Sequence, residues 1–109
     1  MNDKELLELA AKAAGIPVMP CTCSDAKWPL KHDTEKSGKR GHWNPLVDDG
    51  DALRLAVKLD IHVLLFENMT TARPLLADWD CDERDDGDPC AATRRAIVRA
   101  AAEIGKAMP

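Results

Sequence analysis

The residues of this chain that could do chemistry are four cysteines, three histidines and an acidic run. Cys21-Thr22-Cys23 supplies two thiols one residue apart, and Cys81 and Cys90 lie far downstream. Four thiolates can close a tetrahedral zinc site, so Cys21, Cys23, Cys81 and Cys90 are the metal candidates. Structural zinc usually sits on Cys-x-x-Cys pairs, and neither pair has that spacing. Cys90 also falls on the apolar stripe of a predicted helix, where a thiol behaves as a small hydrophobe. Without a Cys-x-x-Cys helix start, a redox role for Cys21 and Cys23 has no support. The expectation is a chain without metal or cofactor.

His62 lies inside an apolar strand and reads as a packed, hydrogen-bonded residue rather than a base. His32 and His42 flank a basic loop; with Asp33 they could hold a metal, although such neighbours favour a solvated imidazole. No Ser or Cys stands in an elbow, and no third group is present to orient a base, so the reading is not an enzyme. Asp78, Asp80 and Asp82 alternate as calcium ligands would. An EF-hand loop from Asp78 requires Gly at position 83 and Glu at position 89, where Glu83 and Pro89 stand, and the motif is excluded. The Glu-Lys-Ser-Gly-Lys-Arg-Gly run lacks the phosphate-loop spacing.

Arg94, Arg95 and Arg99 make a small basic face that Lys39 and Arg40 could join, which would suit a weak nucleic-acid binder. The acidic run just before that helix opposes the reading. Trp28, Trp43 and Trp79 each adjoin Pro or Asx at an element end, where tryptophan fills gaps or anchors an interface. Trp28, Trp79, Arg94, Arg95 and Arg99 are the interface candidates.

These groups must be positioned by a small number of elements. A chain of 109 residues makes a single domain, 1–109. A net charge of −4 is not that of a general polyanion binder. The charge is uneven: Lys27 to His42 holds five Lys/Arg, and Asp78 to Asp88 holds seven acids. The plain reading is two solvated loops; the sharper one is mutual attraction, within or between molecules. With no Tyr and one Phe, the core is mostly aliphatic. No segment reaches the roughly 18 apolar residues of a membrane span, and Asn2-Asp3-Lys4-Glu5 does not open a secretory leader. A cytoplasmic protein with reduced thiols is therefore expected.

Met1 to Gly15 reads as a helix capped by Asn2, with Leu6, Leu9, Ala10 and Ala13 on its stripe, Leu7 and Ala14 beside them, and Gly15 as its stop. Residues 17–42 are broken by Pro and Gly; strands are expected near Trp28–Asp33 and ending at Trp43, with 34–41 a mobile link. A second helix starts after Asp48-Asp49, with Ala52, Leu55, Ala56 and Leu59 on one face and Leu53 and Val57 beside them. Ile61 to Phe66, apolar on both faces, reads as a central strand covered on both sides. Ala72 to Trp79 returns as an edge strand, since Pro74 cannot donate to a ladder. Asp88-Pro89 starts the last helix, with Cys90, Ile97, Ala100, Ala101 and Ile104 as its buried stripe and Gly105 as its stop. The expected fold is α+β: three helices packed on a small, mainly antiparallel sheet.

Two segments resemble a known group. One runs from Trp43-Asn44-Pro45-Leu46 through Asp48-Asp49-Gly50-Asp51-Ala52-Leu53-Arg54-Leu55-Ala56-Val57. The other runs from Asp88-Pro89-Cys90-Ala91-Ala92-Thr93-Arg94-Arg95-Ala96-Ile97-Val98-Arg99 through Gly105. They resemble small bacteriophage and prophage proteins of unknown function, distantly similar to the phage NinX proteins. The resemblance implies provenance: a cytoplasmic accessory protein of a phage or prophage. It carries over no functional residues. The sequence therefore points to a non-enzymatic interaction module that binds a host or phage protein, or itself as a homodimer. Zinc through the four cysteines and nucleic acid through the arginines are the alternatives.

Overall fold

The computed structural model describes residues 2–109. The Met1 start expected for the first helix lies outside them. The fold is α+β, with four helices and two small sheets among the described residues, and the sheet pairings are all antiparallel. The helix beyond the expected three is a single turn, Thr34–Ser37 (α2), inside the stretch read as a mobile link. Asp33 caps it and Gly38 closes it in the left-handed region.

Helix α1 (Asp3–Ala14) starts as its sequence dictates: the Asn2 side chain accepts from the Glu5 N–H, and Gly15 ends the helix at φ 66°. Its buried line is Leu7, Ala10, Ala11 and Ala14. That line is rotated from the expected one, so Leu6 and Leu9 sit at its margin. Helix α3 (Asp49–Lys58) is capped by Asp48 and buries Ala52, Leu55 and Ala56 as expected, but Leu59 is its half-buried C-cap, and Leu53 and Val57 are exposed because they lie around the helix from that line. Helix α4 (Pro89–Ala107) is capped by Asp88, with Pro89 in its first turn.

The two sheets are a hairpin of β1 (Val18–Pro20) and β2 (Leu30–His32), and a three-stranded sheet of β3 (Ile61–Phe66), β4 (Met69–Pro74) and β5 (Cys81–Arg84) in the order β3-β4-β5. The expected strand positions are corrected here. Ile61–Phe66 is an edge strand, and Leu64, Leu65 and Phe66 are exposed on it. The central strand is β4, although it contains Pro74, and it runs from Met69 to Pro74 rather than from Ala72 to Trp79. The β4–β5 ladder ends at Ala72–Cys81, so Pro74 has a partner on one side only, Ile61, and its missing N–H leaves no gap. Thr70 and Thr71 are buried in β4 because each hydroxyl has a partner: Thr93 at 3.0 Å and Asp82 at 2.6 Å. The acidic run is not all loop. Cys81–Arg84 forms the second edge, where alternation turns Cys81 inward and Asp82 outward.

Helix α4 is the hub. It packs on the sheet with one side and on α1 with another, and its buried residues are mainly alanines. Alanine and glycine let the two helix backbones meet closely. Gly105 is not a stop; it is buried within the helix, and a Cβ there would lie 2.0 Å from the Leu9 carbonyl oxygen. Cys90 is exposed on the first turn, contrary to the expected stripe, because it lies on the wall of an open groove and the buried line of the helix begins only at Ala92. One cluster of buried side chains joins Leu7, Leu55, Ile97 and Val98 to Leu30 and Trp43 of the hairpin side.

Candidate functional site

Residues 43–54 are built to hold a turn in place. Trp43 is buried, and Pro45 is fully buried. Asn44 is also buried, with every polar group engaged: its N–H donates to Asp51 Oδ2 at 3.0 Å, Nδ2 donates to the Lys27 carbonyl at 2.6 Å, and Oδ1 accepts from the Leu46 N–H at 2.9 Å. Asp51, itself buried, turns its other oxygen to Arg54 at 2.8 Å. The turn thus ties the first residues of α3 to the segment leading into β2.

Against that turn lies the one gathering of metal-ligating groups among the described residues: Cys21, Cys23 and His42, whose ligand atoms all lie within 4.8 Å of one another. The Cys21 N–H donates to the Pro29 carbonyl at 2.9 Å, which closes the loop between β1 and β2. The chain then turns so that the Cys23 N–H faces Cys21 Sγ at 3.5 Å, and the sulfurs approach to 3.1 Å. An extended Cys-x-Cys would put both thiols on one side but roughly 6.6 Å apart along the chain, so the turn is what brings the sulfurs together. His42 reaches the site because its backbone bridges to Lys31 of β2, and its ring stacks on Trp28 at 4.8 Å and 13°. The Cys23 backbone N–H, the Cys23 thiol and Lys31 lower the Cys21 thiol below its ordinary range, against some desolvation. Hydrogen bonding to Cys21 pushes Cys23 up.

The four candidate cysteines do not gather into one group. Cys81 is buried on β5, where burial raises its thiol, and Cys90 sits exposed at the start of α4; neither joins Cys21 and Cys23. His32, Asp33 and His42 do not gather either, since Asp33 is spent capping α2. The sequence reading missed the pairing of His42 with Cys21 and Cys23. Its one signal was a Cys-x-Cys followed by a histidine beside a buried tryptophan. His62 is exposed on β3 rather than packed.

No protein-family model, curated protein or solved structure matches this chain.

The other candidates divide clearly. Each interface arginine is occupied within the molecule. Arg94 donates to the Leu46 carbonyl at 2.8 Å and pairs with Asp49 at 2.6 Å. Arg95 pairs with Asp3 at 3.2 Å, and Arg99 with Glu83 and the Asp82 carbonyl. The acidic run is thus answered by Arg99, and by Arg73 through Asp80, rather than by the basic loop. Trp28 covers His42, while Trp79 is partly exposed beside β5.

Two of the concave surfaces stand apart by their lining. One, about 570 Å³, is lined by His32, Lys39, Arg40, Asp51, Arg54 and Lys58; His32 Nδ1 is buried without a partner beside it. The other, about 400 Å³, is almost wholly apolar and lies between α3, β3 and α4, with Ala52, Leu53, Ala56, Val63, Leu65 and Ile97 on its walls. It opens onto the β3 edge, where Leu65 is 71 % exposed and Phe66 57 %.

Proposed function

We propose that the protein is a non-enzymatic interaction module, an accessory protein of a phage or prophage, and that its binding edge is β3 paired with β3 of a second copy. The observation that carries this reading is the composition of the edge. Ile-His-Val-Leu-Leu-Phe runs six residues with no Lys, Asp, Glu, Pro or glycine. Monomers usually protect an edge with charge, proline or a bulge, because its free N–H and C=O groups otherwise recruit another strand.

A second copy suits this edge on symmetry and charge. Consider a two-fold axis through Leu64, perpendicular to the sheet. Leu64 then faces Leu64 of the other copy, Val63 faces Leu65, and His62 faces Phe66. Beyond the strand, Glu67 falls opposite Ile61, and Asp60 opposite Asn68. No like charges are opposed, and facing residues lie on the same side of the joined sheet. The two apolar grooves then flank one seam. The resemblance of residues 43–57 and 88–105 to small phage proteins supports the provenance. No described helix is long and apolar enough to cross a membrane.

Light scattering on the eluting chain tests this. A dimer at about 100 μM is expected, which Leu64→Lys converts to a monomer with unchanged helical circular dichroism. A wild-type chain that stays monomeric at that concentration overturns the pairing, whatever host protein it binds.

A further inference from the structure

We propose that Cys21, Cys23 and His42 form a mononuclear zinc site with an open fourth position, which fastens the β1–β2 hairpin to the segment entering the Trp43 turn. The inference is independent of β3 pairing, because it concerns another part of the surface and a different ligand.

Geometry comes first. Tetrahedral zinc, with Zn–S near 2.3 Å and Zn–N near 2.0 Å, separates two coordinating sulfurs by about 3.8 Å and each sulfur from the nitrogen by somewhat less. The three ligand atoms lie within 4.8 Å of one another, and the sulfurs are 3.1 Å apart. The sulfurs need open by less than about 1 Å to seat the ion, and the exposed Cys23 rotamer permits it.

The donor set selects the ion. Two thiolates and an imidazole suit zinc and do not suit magnesium or calcium, which prefer oxygen. Two thiolates neutralise a divalent ion, so the site needs no carboxylate. Its surroundings are those of a thiolate site: the Cys23 N–H faces Cys21 Sγ, and the Trp28 ring fixes the plane of the His42 imidazole. Among the described residues no fourth Cys, His, Asp or Glu joins the group. Water or an incoming donor completes the shell. Loading releases one proton from each thiol, so affinity rises with pH.

The site also lies where the fold gains most from a fastener. The hairpin strands are three residues each, and the loop between them is largely exposed. A two-stranded sheet of that length is marginal by itself.

Cobalt titration of the full-length, reduced chain tests the site. One Co(II) per chain is expected, with a thiolate-to-metal charge-transfer band that stoichiometric zinc removes. Cys23→Ser abolishes the band, and His42→Gln weakens binding at least about tenfold. Cys90→Ser, on an exposed residue outside the group, leaves it unchanged. The variants change exposed side chains, and circular dichroism checks that they fold. No band in the wild-type chain, a band that survives Cys23→Ser or His42→Gln at full strength, or one lost in Cys90→Ser overturns the proposal.

Discussion

Two regions of this molecule are held together by different means. Around α4, small residues bring backbones into contact: Ala10 and Ala14 of α1 and Ala101 and Gly105 of α4 are all buried, and Gly105 lies against the Leu9 carbonyl. Stability there comes from dispersion and apolar burial, which are dense and unforgiving of added volume. Between residues 17 and 45, only Leu30 and the Trp43–Pro45 turn are deeply buried. That region is fastened at polar points: Cys21 to Pro29, Asn44 to Lys27, Asn44 to Asp51, and His42 across from Lys31. A packed region fails when volume changes; a fastened region fails when a partner is lost. The zinc site belongs to the second kind, because an ion adds a fastener without adding core.

The strongest way to break the comparison is Gly105→Ala. A methyl group at that position meets backbone at 2.0 Å, and backbone cannot rotate away. The cost is about 3 kcal/mol, at the upper end for overpacking, although alanine is the better helix former by about 1 kcal/mol. Urea denaturation measures it. A loss below about 1 kcal/mol would show that the α1–α4 contact yields and is not close-packed.

The matching change in the fastened region is Asp51→Ala. It removes little volume but leaves the buried Asn44 N–H without an acceptor and leaves Arg54 with only its longer pairing to Asp48 at 3.8 Å. A cost of about 2 kcal/mol follows from one buried donor left unpaired. Hydrogen exchange then separates the regions: amides of 17–45 lose protection first, while those of α4 follow global unfolding. Uniform loss of protection would mean that the two regions are a single cooperative unit.

How much of this was legible in the sequence follows the same division. Helix caps are local, so Asn2, Asp48 and Asp88 were readable, as were the buried Ala52, Leu55 and Ala56 of α3. Strand rank in a sheet is not local. An apolar run such as Ile61–Phe66 looks alike whether two neighbours cover it or a partner molecule does. The true central strand hid behind Thr70, Thr71, Arg73 and Pro74, because buried hydroxyls are satisfied by Thr93 and Asp82 from elsewhere in the chain. Gly105 read as a stop because composition does not reveal that a second helix lies against it. The zinc group was half visible: the two thiols stood in plain sight, but His42 joins them only through the bridge to Lys31.

The smallest effect sharpens the comparison through pH. His32 lines the cationic hollow, with Lys39, Arg40, Arg54 and Lys58 around it and Asp51 as the acid facing it. Burial holds its imidazole below the usual 6.5; Asp51 pulls the other way, and Lys39 and Arg54 add to the depression. A base with a depressed folded value binds fewer protons folded than unfolded. Its stability contribution is therefore complete above the unfolded value and is lost as pH falls through the folded one. Lowering pH from about 7.5 to about 5 should cost the wild-type chain more urea resistance than it costs His32→Asn. The loss should be smaller than either substitution above, because His32 is only half-buried and the ring can turn toward water. If His32→Asn and wild type lose stability in parallel, the hollow is wet enough to accept the charged ring, and its four cations do not act on it as a group.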